Sequence, residues 1–98
     1  MTKVYISGAI TNKPDYKRDF ARAAAVIVSA GCEAVTPAEV NINGGSWLDY
    51  MRQDIKLLAD CDGVYMLEGW EQSRGARVEH QLAQGLGLRI YYEGGAKA

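Results

Sequence analysis

Histidine occurs once in these 98 residues, proline and cysteine twice each, and acidic and basic side chains nearly cancel to a formal net charge of −1. Each scarcity excludes something. Cys32 and Cys61 match neither a CxxC motif nor a zinc ribbon, and both flank apolar runs, so they read as small buried hydrophobes. A lone histidine, His80, is more often a packing or surface residue than a ligand, and no redox motif accompanies it, so neither metal nor cofactor is expected. Near-neutral charge leaves no electrostatic footprint for nucleic acid or for an anionic membrane; any anionic partner has to be small and locally bound. No apolar run is long enough to span a bilayer. The chain passes from Met1-Thr2-Lys3 straight into a strand pattern, which leaves no room for a signal peptide and makes a cytoplasmic setting the expectation.

What is present is an ordinary globular composition, 48% hydrophobic and 23% charged, which argues against disorder. The length suits one domain, residues 1–98, whose modest buried fraction leads us to expect self-association into a homodimer or larger assembly. Lys3 to Ser7 is β-branched and aromatic and reads as a first strand, ending at Gly8. The loop Gly8 to Pro14 contains neither a P-loop nor the three-glycine dinucleotide pattern. Tyr16, Phe20, Ala23, Ala24 and Ile27 share one face of a helix that Gly31 ends. Cys32 to Thr36 is a short second strand stopped by Pro37, and residues 38–45 form a loop at the ligand edge. Ser46 and Asp49 have the spacing of a capping box, and the helix they open has Leu48, Met51, Ile55, Leu58 and Ala59 as its core stripe, with Asp54 at the border.

The segment from Asp62 to Leu88 organises the rest. Val64 to Leu67 reads as a buried strand, followed by a polar turn and a helix starting near Ser73 and marked by Val78, Leu82, Ala83 and Leu86. Leu88 to Tyr92 gives a fourth strand, and residues 93–98 a tail with nothing to pack. The alternation predicts a three-layer, Rossmann- or flavodoxin-like α/β fold with a small parallel sheet of four to five strands flanked by helices. In such folds ligands bind beyond the carboxyl ends of the strands. Glu79 lies at the edge of the apolar stripe, beside small residues that leave space for a substrate. Its bland reading is a solvated glutamate favoured by the helix dipole. Tyr5 and Asp54 come out at the same sheet edge, although singly they read as a satisfied strand tyrosine and a solvated helix charge. Two carboxylates and a phenol suit cleavage of a glycosidic bond.

Tyr5-Ile6-Ser7-Gly8-Ala9-Ile10, Gln53-Asp54-Ile55 with Leu58-Ala59-Asp60-Cys61-Asp62, and Ser73-Arg74-Gly75-Ala76-Arg77-Val78-Glu79 together resemble the nucleoside 2-deoxyribosyltransferase superfamily. The last segment is closest to its 2′-deoxynucleoside 5′-phosphate N-hydrolase branch, and the short chain is similar to a small phage and bacterial group of the DUF4406 type. The resemblance implies Glu79 as nucleophile at C1′, Asp54 as the group that helps the base leave, and Tyr5 as the residue that positions the nucleophile. It implies a substrate site made of Ser73, Gly75, Gly8, Ala9, Ile10 and Trp70, with Ser73 standing where the hydrolases keep a serine for the 5′-phosphate. A serine at a helix N-terminus suits a phosphate. Trp70 and Trp47 are candidates for stacking on the base or for covering a dimer seam. The implied ligand is a small nucleotide or nucleoside. Hydrolysis, transfer to a second base, and binding without turnover all stay open. The first loop lacks the glycine- and arginine-rich character of the hydrolases, and the chain stops where the family continues into a further segment.

Overall fold

The structure, a computed structural model, describes residues 2–11, 13–37 and 45–95. Strands and helices alternate: β1 (Lys3–Ser7), α1 (Tyr16–Ser29), β2 (Glu33–Val35), α2 (Trp47–Ala59), β3 (Gly63–Met66), α3 (Arg74–Leu86) and β4 (Arg89–Tyr92). A 3₁₀ turn, Trp70–Gln72, joins β3 to α3. The strands form one parallel sheet in the order β2-β1-β3-β4. This is the three-layer, flavodoxin-like α/β arrangement that the alternation of elements predicts.

β1 lies between β2 and β3, with Tyr5 beside Val35 on one side and Val64 on the other. Successive side chains of a strand point to opposite faces. Val4 and Ile6 turn toward α1, where they pack with Phe20, Ala23, Ile27 and Leu67. Tyr5 turns the other way, among Val64, Met66, Leu58, Ala76 and Ala83 beneath α2 and α3. Both faces of the sheet are thereby covered, which explains why β1 and β3 are buried along nearly their whole length.

The helix ends follow from local chemistry. At the end of α1, Gly31 takes φ +83°, and the Cys32 N–H donates to Ile27 O at 3.1 Å, closing the last turn on a carbonyl that also accepts from the Ala30 N–H. The capping box of α2 is present: the Asp49 N–H donates to Ser46 Oγ and the Ser46 N–H to Asp49 Oδ2, at 3.1 and 3.3 Å. Ser73 caps α3, accepting from the Ala76 N–H at 3.2 Å.

The buried stripes match the expected ones only in part, at Met51, Leu58 and Ala83. In α2 the side chains turned inward are Met51, Asp54 and Leu58; Leu48 is half exposed and Ala59 is exposed. In α3 they are Ala76, Glu79 and Ala83, whereas Val78 and Leu86 face outward. Alanines on the inner face let α3 approach the sheet closely, which leaves the bulkier side chains outside. Each helix thus has a carboxylate at the middle of an i, i+3, i+7 stripe.

Two further expectations change. Glu93 is not part of an unpacked tail: its carboxylate accepts from Arg22 Nε and Nη2 at 3.0 and 2.9 Å and from the Glu68 N–H at 3.0 Å. This ties the end of β4 to α1. Cys61 is buried while Cys32 is half-buried; burial pushes the Cys61 thiol up to about 11, so it stays protonated and inert. Residues 38–44 of the expected ligand-edge loop and residues 96–98 of the tail lie outside the described residues.

Candidate active site

Glu79 is 4% exposed, Asp54 1%, and Tyr5 and Ser7 not at all. Placing so many polar groups away from water is costly unless they are hydrogen-bonded to one another. The Tyr5 hydroxyl donates to Glu79 Oε2 at 2.8 Å, and the Ser7 hydroxyl donates to Glu79 Oε1 at 2.6 Å. Both donors come from one face of β1, two residues apart, and meet a single carboxylate from the first half of α3.

Glu79 and Asp54 line the same cavity of about 360 Å³ at the carboxyl end of the sheet, at the lower end of the range for small-molecule sites. Among the described residues its walls include Gly8 and Ile10 after β1, Met51 and Asp54 from α2, and Ser73, Gly75 and Ala76 at the start of α3. Tyr16, Tyr50 and Trp47 add aromatic surface. Tyr5 and Ser7 are not on the wall; they stand behind Glu79.

Two glycines shape the space. A Cβ at Gly8 would come within 2.6 Å of Leu67 Cδ1, so only glycine lets the loop leave β1 flush against the end of β3. A Cβ at Gly75 would meet Met51 Sδ at 3.2 Å and Trp47 Nε1 at 3.7 Å, where α2 and α3 converge on the cavity.

Of the residues expected at the site, Glu79, Asp54, Ser73, Gly75, Gly8 and Ile10 line the cavity, with Tyr5 bonded behind it. Ala9 lies in an adjoining hollow, which shares Ile10, Thr11, Trp47, Ser73 and Gly75 with the main one. Trp70 is elsewhere. Its ring stacks on His80 with centroids 4.2 Å apart, and the Tyr92 ring is 6.3 Å away. The 3₁₀ turn before α3 carries Trp70 to the β4 side, away from the cavity, so the base-stacking role expected of Trp70 does not fit this placement. Trp47 does line the cavity, with the Arg74 guanidinium 4.2 Å above its ring. Arg77 is turned to the 3₁₀ turn, donating to Glu71 O at 3.3 Å.

His80, next to Glu79 in sequence, faces away from it and shares a 2.7 Å hydrogen bond with the Tyr92 hydroxyl. Burial holds its imidazole below the ordinary value, outweighing the opposing pull of the Glu71 carboxylate. Ser7 is the residue that reading the sequence overlooked. The signal was there: it follows Tyr5 by two residues on a strand, which puts both hydroxyls on one face.

Among the described residues no group of three or more metal-ligating side chains forms a metal site, and no helix is long and apolar enough to cross a membrane. No curated protein matches the chain. The solved structure of the Clostridium botulinum CMP N-glycosidase BcmB is similar to it, with a TM-score of 0.68 over 93% of this chain and 70% of that one, at 20% identity. That likeness bears on the fold, which the two share. The family model for a domain of unknown function, DUF4406, matches residues 2–92, every strand and helix from β1 to β4, and the chain therefore belongs to that family.

Proposed function

We propose that the protein is a nucleotide N-glycosidase that hydrolyses the N-glycosidic bond of 2′-deoxynucleoside 5′-monophosphates. The observation that carries this reading is a buried glutamate, held by the Tyr5 hydroxyl, on the wall of a cavity it shares with the buried carboxyl of Asp54. A likeness in fold to a CMP N-glycosidase supports the same class of bond.

In the first step a Glu79 carboxylate oxygen bonds to C1′. The C1′–N bond breaks, its electron pair leaves with the base, and Asp54 gives the base nitrogen a proton. In the second step water adds to C1′ and passes a proton to Asp54, while the C1′–O bond to Glu79 breaks and returns its electron pair to the carboxylate. Free base and 2-deoxyribose 5-phosphate leave. Ser73, Gly75 and the adjoining Gly8, Ala9 and Ile10 receive the phosphate: the positive end of α3 lies at this wall, and a serine hydroxyl adds a donor without adding charge. Trp47, whose side chain lines the cavity, supports a contact with the base. The outward Val78 and Leu86 of α3 are apolar surface for self-association into a homodimer or larger assembly, to be checked by light scattering.

The test is purified protein incubated with each deoxynucleoside monophosphate and with CMP, released base being measured by chromatography. Base release from the deoxynucleotides that Glu79→Ala abolishes is the expected result. Release from CMP alone would move the substrate to ribonucleotides. Transfer to an added second base would make the protein a deoxyribosyltransferase, and tight binding with unchanged ligand on recovery would make it a sequestering protein.

A further inference from the structure

Ser7 is an odd residue to find where it stands. It occupies the last position of β1 with no exposed surface, its neighbour across the ladder is Met66, and the same face of the sheet is filled with Val64, Met66 and alanines from α3. An alanine would fit that environment without a polar atom to satisfy. The hydroxyl instead donates to Glu79 Oε1 at 2.6 Å, the shorter of the two hydroxyl contacts to that carboxylate. The backbone on which it rides is fixed, because Ser7 O accepts from the Leu67 N–H at 2.8 Å and Gly8 seats the following residue against the Leu67 side chain.

We propose that Ser7 is a positioning residue for Glu79, forming with Tyr5 a cradle of two hydroxyls that holds one oxygen each. This rests on the reading of Glu79 as the nucleophile. Two donors on two oxygens fix the carboxyl plane as well as its position, which one donor cannot do. Both donors are neutral, so they orient the carboxylate and leave its charge in place for attack on C1′. The arrangement also serves both steps. When one oxygen is bonded to C1′, the other becomes the carbonyl oxygen of the ester and keeps its hydroxyl donor. When water releases the sugar, the returning negative charge spreads onto an oxygen already held. With Ser7 removed, Oε1 loses its hydroxyl donor while Oε2 keeps the one from Tyr5.

The experiment compares wild type, Ser7→Ala and Ser7→Cys by steady-state kinetics on the deoxynucleotide that wild type turns over fastest, and by crystal structures of wild type and Ser7→Ala. For Ser7→Ala we expect kcat to fall about ten- to a hundredfold with KM nearly unchanged, the pattern of an interaction used in the reaction and not in binding. Ser7→Cys, which keeps a weak donor, is expected to recover part of the loss. In the Ser7→Ala crystal the Glu79 carboxyl is expected to rotate about its last torsion and lengthen its contact with Tyr5. A carboxyl that keeps its plane and its Tyr5 contact in that crystal would overturn the proposal whether or not the protein proves active. So would an unchanged kcat, or a loss confined to thermal stability. Wild type that releases no base from any nucleotide, with a carboxyl that rotates in Ser7→Ala, would sink the glycosidase reading and leave the cradle standing.

Discussion

The two faces of the sheet are built from the same strands and for different ends. On the α1 face, Val4, Ile6, Phe20, Ala23, Ile27 and Leu67 make a core of hydrocarbon and one phenyl ring. On the α2 and α3 face, Val64, Met66, Leu58 and two alanines surround four polar side chains, Tyr5, Ser7, Asp54 and Glu79, all buried. The first face does what a small domain needs in order to stay folded. The second gives up apolar burial at the centre of both its helices, a sacrifice typical of surfaces kept for chemistry. The difference teaches where to look in such a fold: the face whose helices carry an acidic residue in the middle of the buried stripe.

Mutations can separate the two. The largest effect is expected from Glu79→Gln, which keeps the shape of the side chain and should reduce base release on the order of a thousandfold or more. Its thermal midpoint should hold or rise, since a buried carboxylate contributes little to stability; a collapse of the midpoint would mean that Glu79 is part of the core. Phe20→Ala is the converse, expected to lose about 3–5 kcal/mol on denaturant unfolding while the remaining folded fraction keeps its turnover. Gly8→Ala sits at the seam between the faces. The added methyl is forced into Leu67, so a loss of about 1–3 kcal/mol is expected, together with a raised KM from the displaced loop.

The smallest effect concerns His80, at the margin of the polar face. Because burial holds its folded-state value below 6.5, the unfolded chain takes up the proton first as pH falls. Stability should therefore decline as pH drops from about 6.5 toward the folded value, and level off below it. His80→Phe keeps a ring for Trp70 to stack on and removes the titration. Thermal melts at about pH 7.5 and about pH 5.5 should then differ less for the variant than for wild type; equal differences would show that other groups govern the slope.

How much of this was legible in the chain depends on the kind of signal. The order of elements, the capping box at Ser46 and the end of α1 at Gly31 could be read because each rests on neighbours in sequence. Helical periodicity puts Glu79 at the edge of the stripe; in the structure it is at the centre of the buried one, between Ala76 and Ala83. Which stripe was buried could be read only in part: Ala83 was in it, but Val78 and Leu86 outrank Ala76 in hydrophobicity, and only the close approach of α3 to the sheet reverses that order. Trp70 misled for a similar reason, since its partners His80 and Tyr92 are brought to it by the turn and by β4. Glu93 found Arg22 across more than seventy positions of chain, a pairing that no local pattern announces.

The alternation along β1 has one more consequence. Sliding that strand by a single residue would exchange its sides, pushing a phenol and a hydroxyl in among Phe20 and Ile27 and leaving the α3 acid facing bare valine and isoleucine. The misaligned sheet would be penalised on both sides at once, so the same pair of hydroxyls that grips the acid also acts as a key, admitting only one alignment of the central strand.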